Sequence, residues 1–172
     1  MTLTTPLAQA AVDQLQAGDT VNITGTIYTA RDAAHGRMFE TLNQGEEAPF
    51  DYTNNLVFYA GPCPTPPGKA MGAIGPTTAG RMDAYAPALI EAGLKYMLAK
   101  GDRSPEVVSA IKAHQGAYFV AIGGAAALLA KRITASKVIA YDDLGTEAIR
   151  QLTVVDFPVI VAIDTKGRSI FD

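Results

Sequence analysis

An α/β domain, a mixed sheet with helices packed against it, is the fold class this sequence predicts. Three observations carry that reading. Short apolar, β-branched runs alternate with helical patterns through the second half of the chain. The first half contributes further strands joined by Gly- and Pro-rich loops. At 172 residues, with 48% hydrophobic and 18% charged content, the chain is long and apolar enough for one domain with a substantial core.

The elements follow in order. Residues 1–19 hold a short helical turn that ends at Gly18-Asp19. Val21 to Thr29 (VNITGTIYT) alternates and is rich in β-branched residues, the pattern of a strand. From Ala30 to Gly45, Ala34, Met38 and Leu42 recur at helical spacing, and Gly45 supplies the stop. Residues 46–55 are polar and turn-like, and Asn55 to Gly61 reads as a short buried strand. Pro62 to Ile74 opens with four prolines in six residues, so it is an ordered loop and not a helix. Ala86 to Gly101 reads as one helix: Pro87 suits its first turn, Ile90, Leu94 and Met97 form the apolar stripe, and Gly101 ends it. Ser104-Pro105-Glu106 starts another helix, with Ser as N-cap and Pro at the first helical position, running to Gln115 before Gly116. Then come a strand (AYFVAIGG), a short helix (AAALLAKRI), a strand (KVIAYDD) and a short helix (TEAIRQL). PVIVAID and RSIF form a hairpin around Thr165-Lys166-Gly167.

The totals exclude several classes. A net charge of -3 argues against a nucleic-acid footprint, which needs a basic face. The single cysteine, Cys63, cannot form an internal disulfide or build a Cys-rich zinc or iron–sulfur site by itself. The N-terminal stretch lacks the basic and long apolar regions of a secretion signal. The longest apolar stretch, roughly residues 117–130, is broken by Gly123-Gly124 and is too short to span a bilayer. A cytoplasmic protein with no metal site of its own is the expectation.

The nine residues Gly75 to Asp83, GPTTAGRMD, have a composition suited to gripping a small anion. Thr77 and Thr78 offer hydroxyls, Arg81 offers a planar fork that matches a carboxylate, and Asp83 is placed to hold that fork. The alternative is a loop whose Thr caps a helix and whose Arg–Asp pair lies on the surface. Arg31, Asp32 and His35 stand at a helix start, where the dipole and free N–H groups favour an anion. Asp32 equally suits a first turn for stability alone. His35 is either structural or an acid–base group. Lys100 ends a helix, either complementing its dipole or acting as a third cation for the same anion, and Lys69 is a weaker candidate of that kind. His114 lies near a helix C-terminus and is given no chemistry. Gly123-Gly124 offers close backbone approach, but forms neither a Walker loop nor a dinucleotide fingerprint. Cys63 has no neighbouring His or Cys in sequence. The cations, the Thr pair and one His suggest a site for a small dicarboxylate, with something essential supplied by another chain.

GTIYTARDAAH (Gly25 to His35), GPTTAGRMD, KGD (Lys100 to Asp102), AIGGAAALLA (Ala121 to Ala130) and the tail from Tyr141 to Gly167 resemble the C-terminal region of class I, iron–sulfur-dependent fumarases. They equally resemble the separate β subunit of two-subunit fumarases and L-tartrate dehydratases. The resemblance covers about Pro6 to Asp172 and implies a swivelling β/β/α domain. It implies an active site between α and β parts, with a [4Fe-4S] cluster held by three cysteines of the α subunit and none bound by this chain alone. Arg31, Thr77, Arg81 and Lys100 match the substrate contacts of the β side. Thr77, His35 and Asp32 form the expected catalytic group, Asp32 and His35 also bracing the arginines, with Thr78 and Asp83 standing behind. The implied function is the β subunit of a fumarate hydratase that interconverts L-malate and fumarate plus water. The alternatives are the β subunit of L-tartrate dehydratase, acting on another C4 dicarboxylate, and a non-catalytic dicarboxylate-binding module. An obligate α partner further predicts an exposed apolar surface around Gly75 to Asp83 and the Arg31 helix. The loop 62–74 is the expected determinant of substrate choice.

Overall fold

The computed structural model describes residues 1–121 and 126–172. Seven strands make one mixed sheet, in the order β1-β2-β3-β4-β5-β7-β6. They are β1 (Thr2–Thr4), β2 (Thr20–Thr29), β3 (Leu56–Phe58), β4 (Tyr96–Ala99), β5 (Ala117–Ala121), β6 (Ile133–Ala140) and β7 (Ile149–Ile163). Strands β1 to β5 run parallel to one another. The 15-residue β7 is antiparallel to three partners. Its first half pairs with β6, its second half with β5, and nearly its whole length with β2, from Thr29↔Arg150 to Thr20↔Ile160. Its pairings with β2 and β5 together close the sheet on itself, removing the free edges that those two strands would otherwise expose.

Alternation along the short central strands feeds two cores. Leu56 and Phe58, Tyr96 and Leu98, and Ala117, Phe119 and Ala121 point into a cluster enclosed by the sheet, with Ile23, Ile27, Phe157, Val159 and Val161. Val57, Met97, Ala99 and Tyr118 point the other way, onto the helices. There they meet Ala34 and Met38 of α2 (Asp32–Asn43), Leu89 and Ile90 of α3 (Ala86–Glu91), and Val107 and Ile111 of α4 (Pro105–His114). Strands buried on both faces read as continuous apolar runs, which is why parallel strands need helices on them. The layering is therefore sheet, sheet and helix, an α/β fold with a mixed sheet as expected. A short α1 (Gln9–Val12) and α5 (Ala126–Ala130) complete it.

Ser104 behaves as expected: its Oγ accepts the Val107 N–H at 3.3 Å, capping α4. Two expected helices are corrected. The chain from Ala86 to Gly101 is a six-residue helix followed by strand β4. Gly93 adopts φ +113°, which ends the helix, and Tyr96 to Ala99 are all buried in the centre of the sheet. Ile90, Leu94 and Met97 satisfy a helical spacing, but a short strand buried on both faces gives the same apolar pattern. TEAIRQL is likewise no α-helix. A 3-10 segment, Asp142–Glu147, is kinked at Gly145 (φ +61°), and β7 begins at Ile149. Ile149, Leu152 and Val154 are buried, and pairing with both β2 and β6 outweighs any helical preference. The C-terminal turn keeps the expected place, but the RSIF arm is reduced to one bridge, Ile163↔Ser169. Strand β1 went unforeseen within the N-terminal segment.

Candidate functional site

The carboxyl ends of parallel strands are where open α/β sheets gather their ligands, and three such ends meet here. Arg31 lies two residues beyond β2, and Lys100 immediately follows β4. The Gly75–Asp83 loop returns after β3 and is stitched across those ends. Pro76 bridges to Ala60, and the Thr77 N–H donates to the Tyr59 carbonyl at 2.7 Å. The Lys100 N–H donates to the Thr77 carbonyl at 3.3 Å, and the Ala79 N–H donates to the Lys100 carbonyl at 2.8 Å. Backbone pairing thus sets Thr77 and Thr78 beside Lys100. Thr77 is half-buried, and Thr78 and Lys100 are exposed. Thr78 precedes the 3-10 turn Ala79–Met82 without making a capping side-chain bond.

The two arginines meet at Asp32. Arg81 presents its fork to that carboxylate, Nε to Oδ1 at 3.2 Å and Nη2 to Oδ2. Arg31 Nη2 approaches Asp32 Oδ2 at 3.7 Å. On its other side Arg31 Nε lies 3.5 Å from Glu147 Oε1, which also accepts the Ala33 N–H at 2.9 Å. Glu147 therefore occupies the N-terminal end of α2, where the dipole favours an anion. The Arg31 side chain lies over Gly61, where a Cβ would sit 3.2 Å from its Cδ and 2.8 Å from the Thr146 carbonyl. With side chains 29% and 51% exposed, Arg31 and Arg81 remain open to a solute.

Asp83 does not hold Arg81, as its position two residues on had suggested. Its carboxylate faces inward, accepting Arg103 Nε at 2.8 Å on one oxygen and the Ser104 N–H at 2.7 Å on the other. The turn of the 3-10 segment separates the two side chains, sending Arg81 outward and Asp83 toward α4. Arg103 is a fully buried cation, also donating to Tyr59 Oη at 3.2 Å and lying over the rings of Tyr59 and Tyr118 at 5.2 and 4.9 Å. Burial works against its charge, but Tyr59 and Asp83 more than offset this and hold the guanidinium above its ordinary value.

His35 is fully buried on the inner face of α2. Its Nδ1 lies 3.0 Å from the Arg31 carbonyl, its ring meets Tyr59 edge-on at 4.6 Å, and Nε2 has no partner among the described residues. Burial lowers its pKa to about 4, Arg103 adding to the effect and the Arg31 carbonyl and Asp32 opposing it, so the imidazole is neutral. The structure thus brings Arg31, Asp32 and Arg81 into contact, sets Thr77, Thr78 and Lys100 side by side, and puts His35 and Asp83 behind them.

The other singled-out residues lie elsewhere or outside the description. His114 sits in the last turn of α4. Lys69 lines a cleft of about 500 Å³ with Met71, Ala130, Lys131 and Ile133, which includes none of the site residues. Cys63 is exposed. Gly123-Gly124 falls outside the described residues. Of the expected apolar surface, the Gly75–Asp83 loop and α2 themselves carry none of the large exposed apolar side chains among the described residues, which are Met1, Leu128, Val155, Ile170 and Phe171; Leu128 stands on α5, whose Ala126 lies against Gly75. Beside that loop the exposed and half-exposed side chains include the charged Arg31, Asp32, Arg81 and Lys100. Among the described residues no group of three His, Cys, Asp or Glu is placed to hold a metal. The chain's single cysteine, Cys63, does not match the three-cysteine donor set that the resemblance implies for a [4Fe-4S] cluster. No helix among them is long and apolar enough to cross a membrane.

Sequence reasoning missed Arg103 and Glu147. Arg103 follows KGD directly, and an Arg immediately before a Ser-Pro helix start gives little sign of burial. Glu147 was hidden by the helix expected over TEAIRQL.

The family model described as Fumarase C-terminus matches residues 1–172. The chain is 42% identical over 164 residues to "Fumarate hydratase class I, aerobic" of Escherichia coli (strain K12), covering 94% of this chain and 30% of that protein. It is 42% identical over 162 residues to "Fumarate hydratase 2" of Leishmania major, covering 93% and 28% respectively. It is 36% identical over 172 residues to "Putative L(+)-tartrate dehydratase subunit beta" of Methanocaldococcus jannaschii, covering 96% of this chain and 88% of that one. The chain thus spans under a third of the length of the two fumarases and most of the length of the β subunit. On the full-length family match and these relatives, the chain belongs to the Fumarase C-terminus family.

Proposed function

We propose that this chain is the β part of a class I fumarate hydratase, acting on a C4 dicarboxylate together with an α subunit. The observation that carries the reading is the pair Arg31 and Arg81 converging on one carboxylate, with Lys100 stitched beside Thr77. Asp32 marks where a carboxylate fits that fork. A substrate carboxylate would bind there beside Asp32 or in exchange for it, oriented by Arg81 in bidentate fashion. When the neighbouring carbon loses its proton, negative charge grows on that carboxylate, and fixed guanidinium and ammonium groups favour it. Thr77 is assigned to substrate contact and to the path of that proton, although a neutral hydroxyl is a weak base and needs a neighbour's help. Neutral, buried His35 is assigned to holding the Arg31 carbonyl, and Asp32 to orienting both arginines. The [4Fe-4S] cluster, which this chain's donors do not fit, is assigned to the α subunit.

The M. jannaschii relative supports a second reading, the β part of an L-tartrate dehydratase, because the chain covers most of that subunit. A non-catalytic dicarboxylate-binding module is the third. The test is anaerobic co-purification with an α subunit, cluster reconstitution, and assay of L-malate to fumarate and of L-tartrate to oxaloacetate. Activity is expected only in the mixture, and Arg81→Ala is expected to lower kcat/KM by roughly 100-fold, as loss of one charge-stabilising donor does elsewhere. The preferred acid decides between the two enzymes. A stable cluster-bearing complex inactive on both acids overturns them, and failure to form a complex favours the non-catalytic module.

A further inference from the structure

We infer that Arg103 is a positioning residue for the anion grip, setting the spacing between Arg81 and Lys100 through Asp83. The inference rests on the proposed function. A permanently charged side chain with no exposed surface is costly to bury, and well-packed apolar replacements of buried ion pairs are often neutral or stabilising. Stability alone therefore does not explain Arg103. Its connections do. Asp83 ends the segment that carries Arg81, and both of its oxygens are taken, one by Arg103 Nε and one by the Ser104 N–H. Arg103 also lies over Tyr118, whose hydroxyl donates to the Gly101 carbonyl at 2.8 Å, directly after Lys100. Tyr59, which accepts from Arg103, passes its own carbonyl to the Thr77 N–H. One guanidinium thus ties the Arg81 turn, the Lys100 turn and the Thr77 backbone to the same point.

The forked shape of the guanidinium matters, because Nε goes to Asp83 while Nη2 goes to Tyr59 Oη and Nη1 to Met97 Sδ. The planar fork fixes direction as well as distance, which an ammonium cannot do. Removing it leaves Asp83 held by one backbone N–H and frees the Arg81 turn to shift against Lys100. A shift near 1 Å in a binding constellation is enough to cost 10- to 100-fold in catalytic efficiency.

The test uses the reconstituted complex with the α subunit. Two forms are compared with wild type: the double variant Asp83→Asn/Arg103→Met, which leaves no unpaired buried charge, and Arg103→Lys, which keeps the charge and loses the fork. Thermal unfolding reports folding, and initial rates report KM and kcat for the preferred acid. The expected result is a rise in KM of about 10-fold or more in both, at folded fractions equal to wild type. A merely structural role would lower the folded fraction and the apparent kcat together and leave KM in place. Wild-type KM in either well-folded variant overturns the inference. If the double variant does not fold, the KM of Arg103→Lys decides alone. A wild-type complex inactive on both acids refutes the proposed function instead, and this inference falls with it.

Discussion

Acidification should unfold this protein through His35 in a window set by its burial. In the unfolded chain the imidazole titrates near its ordinary 6.5, and in the fold near 4. Between those values the unfolded state binds a proton that the native state refuses, so stability falls as pH drops and is recovered as pH rises. The full difference corresponds to about 3 kcal/mol, lost from near pH 6.5 down to pH 4, with no contribution above about pH 7. The physical source is a ring with no exposed surface, Nδ1 committed to the Arg31 carbonyl and Nε2 without a partner among the described residues. A second proton would place a cation beside buried Arg103, and Asp32 only partly compensates. Urea unfolding followed by circular dichroism at several values from about pH 7 to pH 5 measures it. His35→Phe preserves an aromatic edge on Tyr59 and cannot titrate. Wild type is expected to lose roughly 2 kcal/mol more than His35→Phe between pH 6.5 and 5. Parallel stability profiles for the two proteins would refute the burial argument.

Two further perturbations follow from packing and from a buried carboxylate. Gly61→Ala puts a Cβ 2.8 Å from the Thr146 carbonyl and 3.2 Å from Arg31 Cδ, so backbone must move; a loss of about 1–3 kcal/mol is expected by thermal unfolding, with weaker dicarboxylate binding as Arg31 is displaced. Buried Asp164 accepts from the Ala17, Lys166 and Arg168 N–H groups and from Arg168 Nε at 2.7 Å; burial opposes its charge, but these bonds prevail and hold its pKa below the ordinary 3.8. Its contribution is therefore present above that value and lost as pH falls through the lower native pKa, so Asp164→Asn should cost about 1–3 kcal/mol near neutral pH and flatten the acid limb. An acid limb as steep as wild type would show that other carboxylates control it.

Some of this was readable from residues alone because the signals are local. The Ser104-Pro105 start of α4, the β-branched run of β2 and the helix from Asp32 each follow from backbone and side-chain preferences within a few residues. β4 and the start of β7 were misread because burial on both faces erases the period that separates strand from helix. Only the neighbours in the sheet decide such a segment, and those neighbours are far away in sequence: β7 pairs with β2 across most of the chain.

The site divides the same way. Which residues could grip an anion was legible from the residues alone, since Arg31, Thr77, Arg81 and Lys100 carry the donors in recognisable motifs. Who holds whom came from the packing of distant segments. That packing placed Asp32, not Asp83, in the fork of Arg81, set Glu147 on the end of α2, and buried Arg103 beneath both cation-bearing turns. Donor chemistry is a property of single residues, whereas pairing of charges depends on distances of a few ångströms between segments that only the closed sheet brings together.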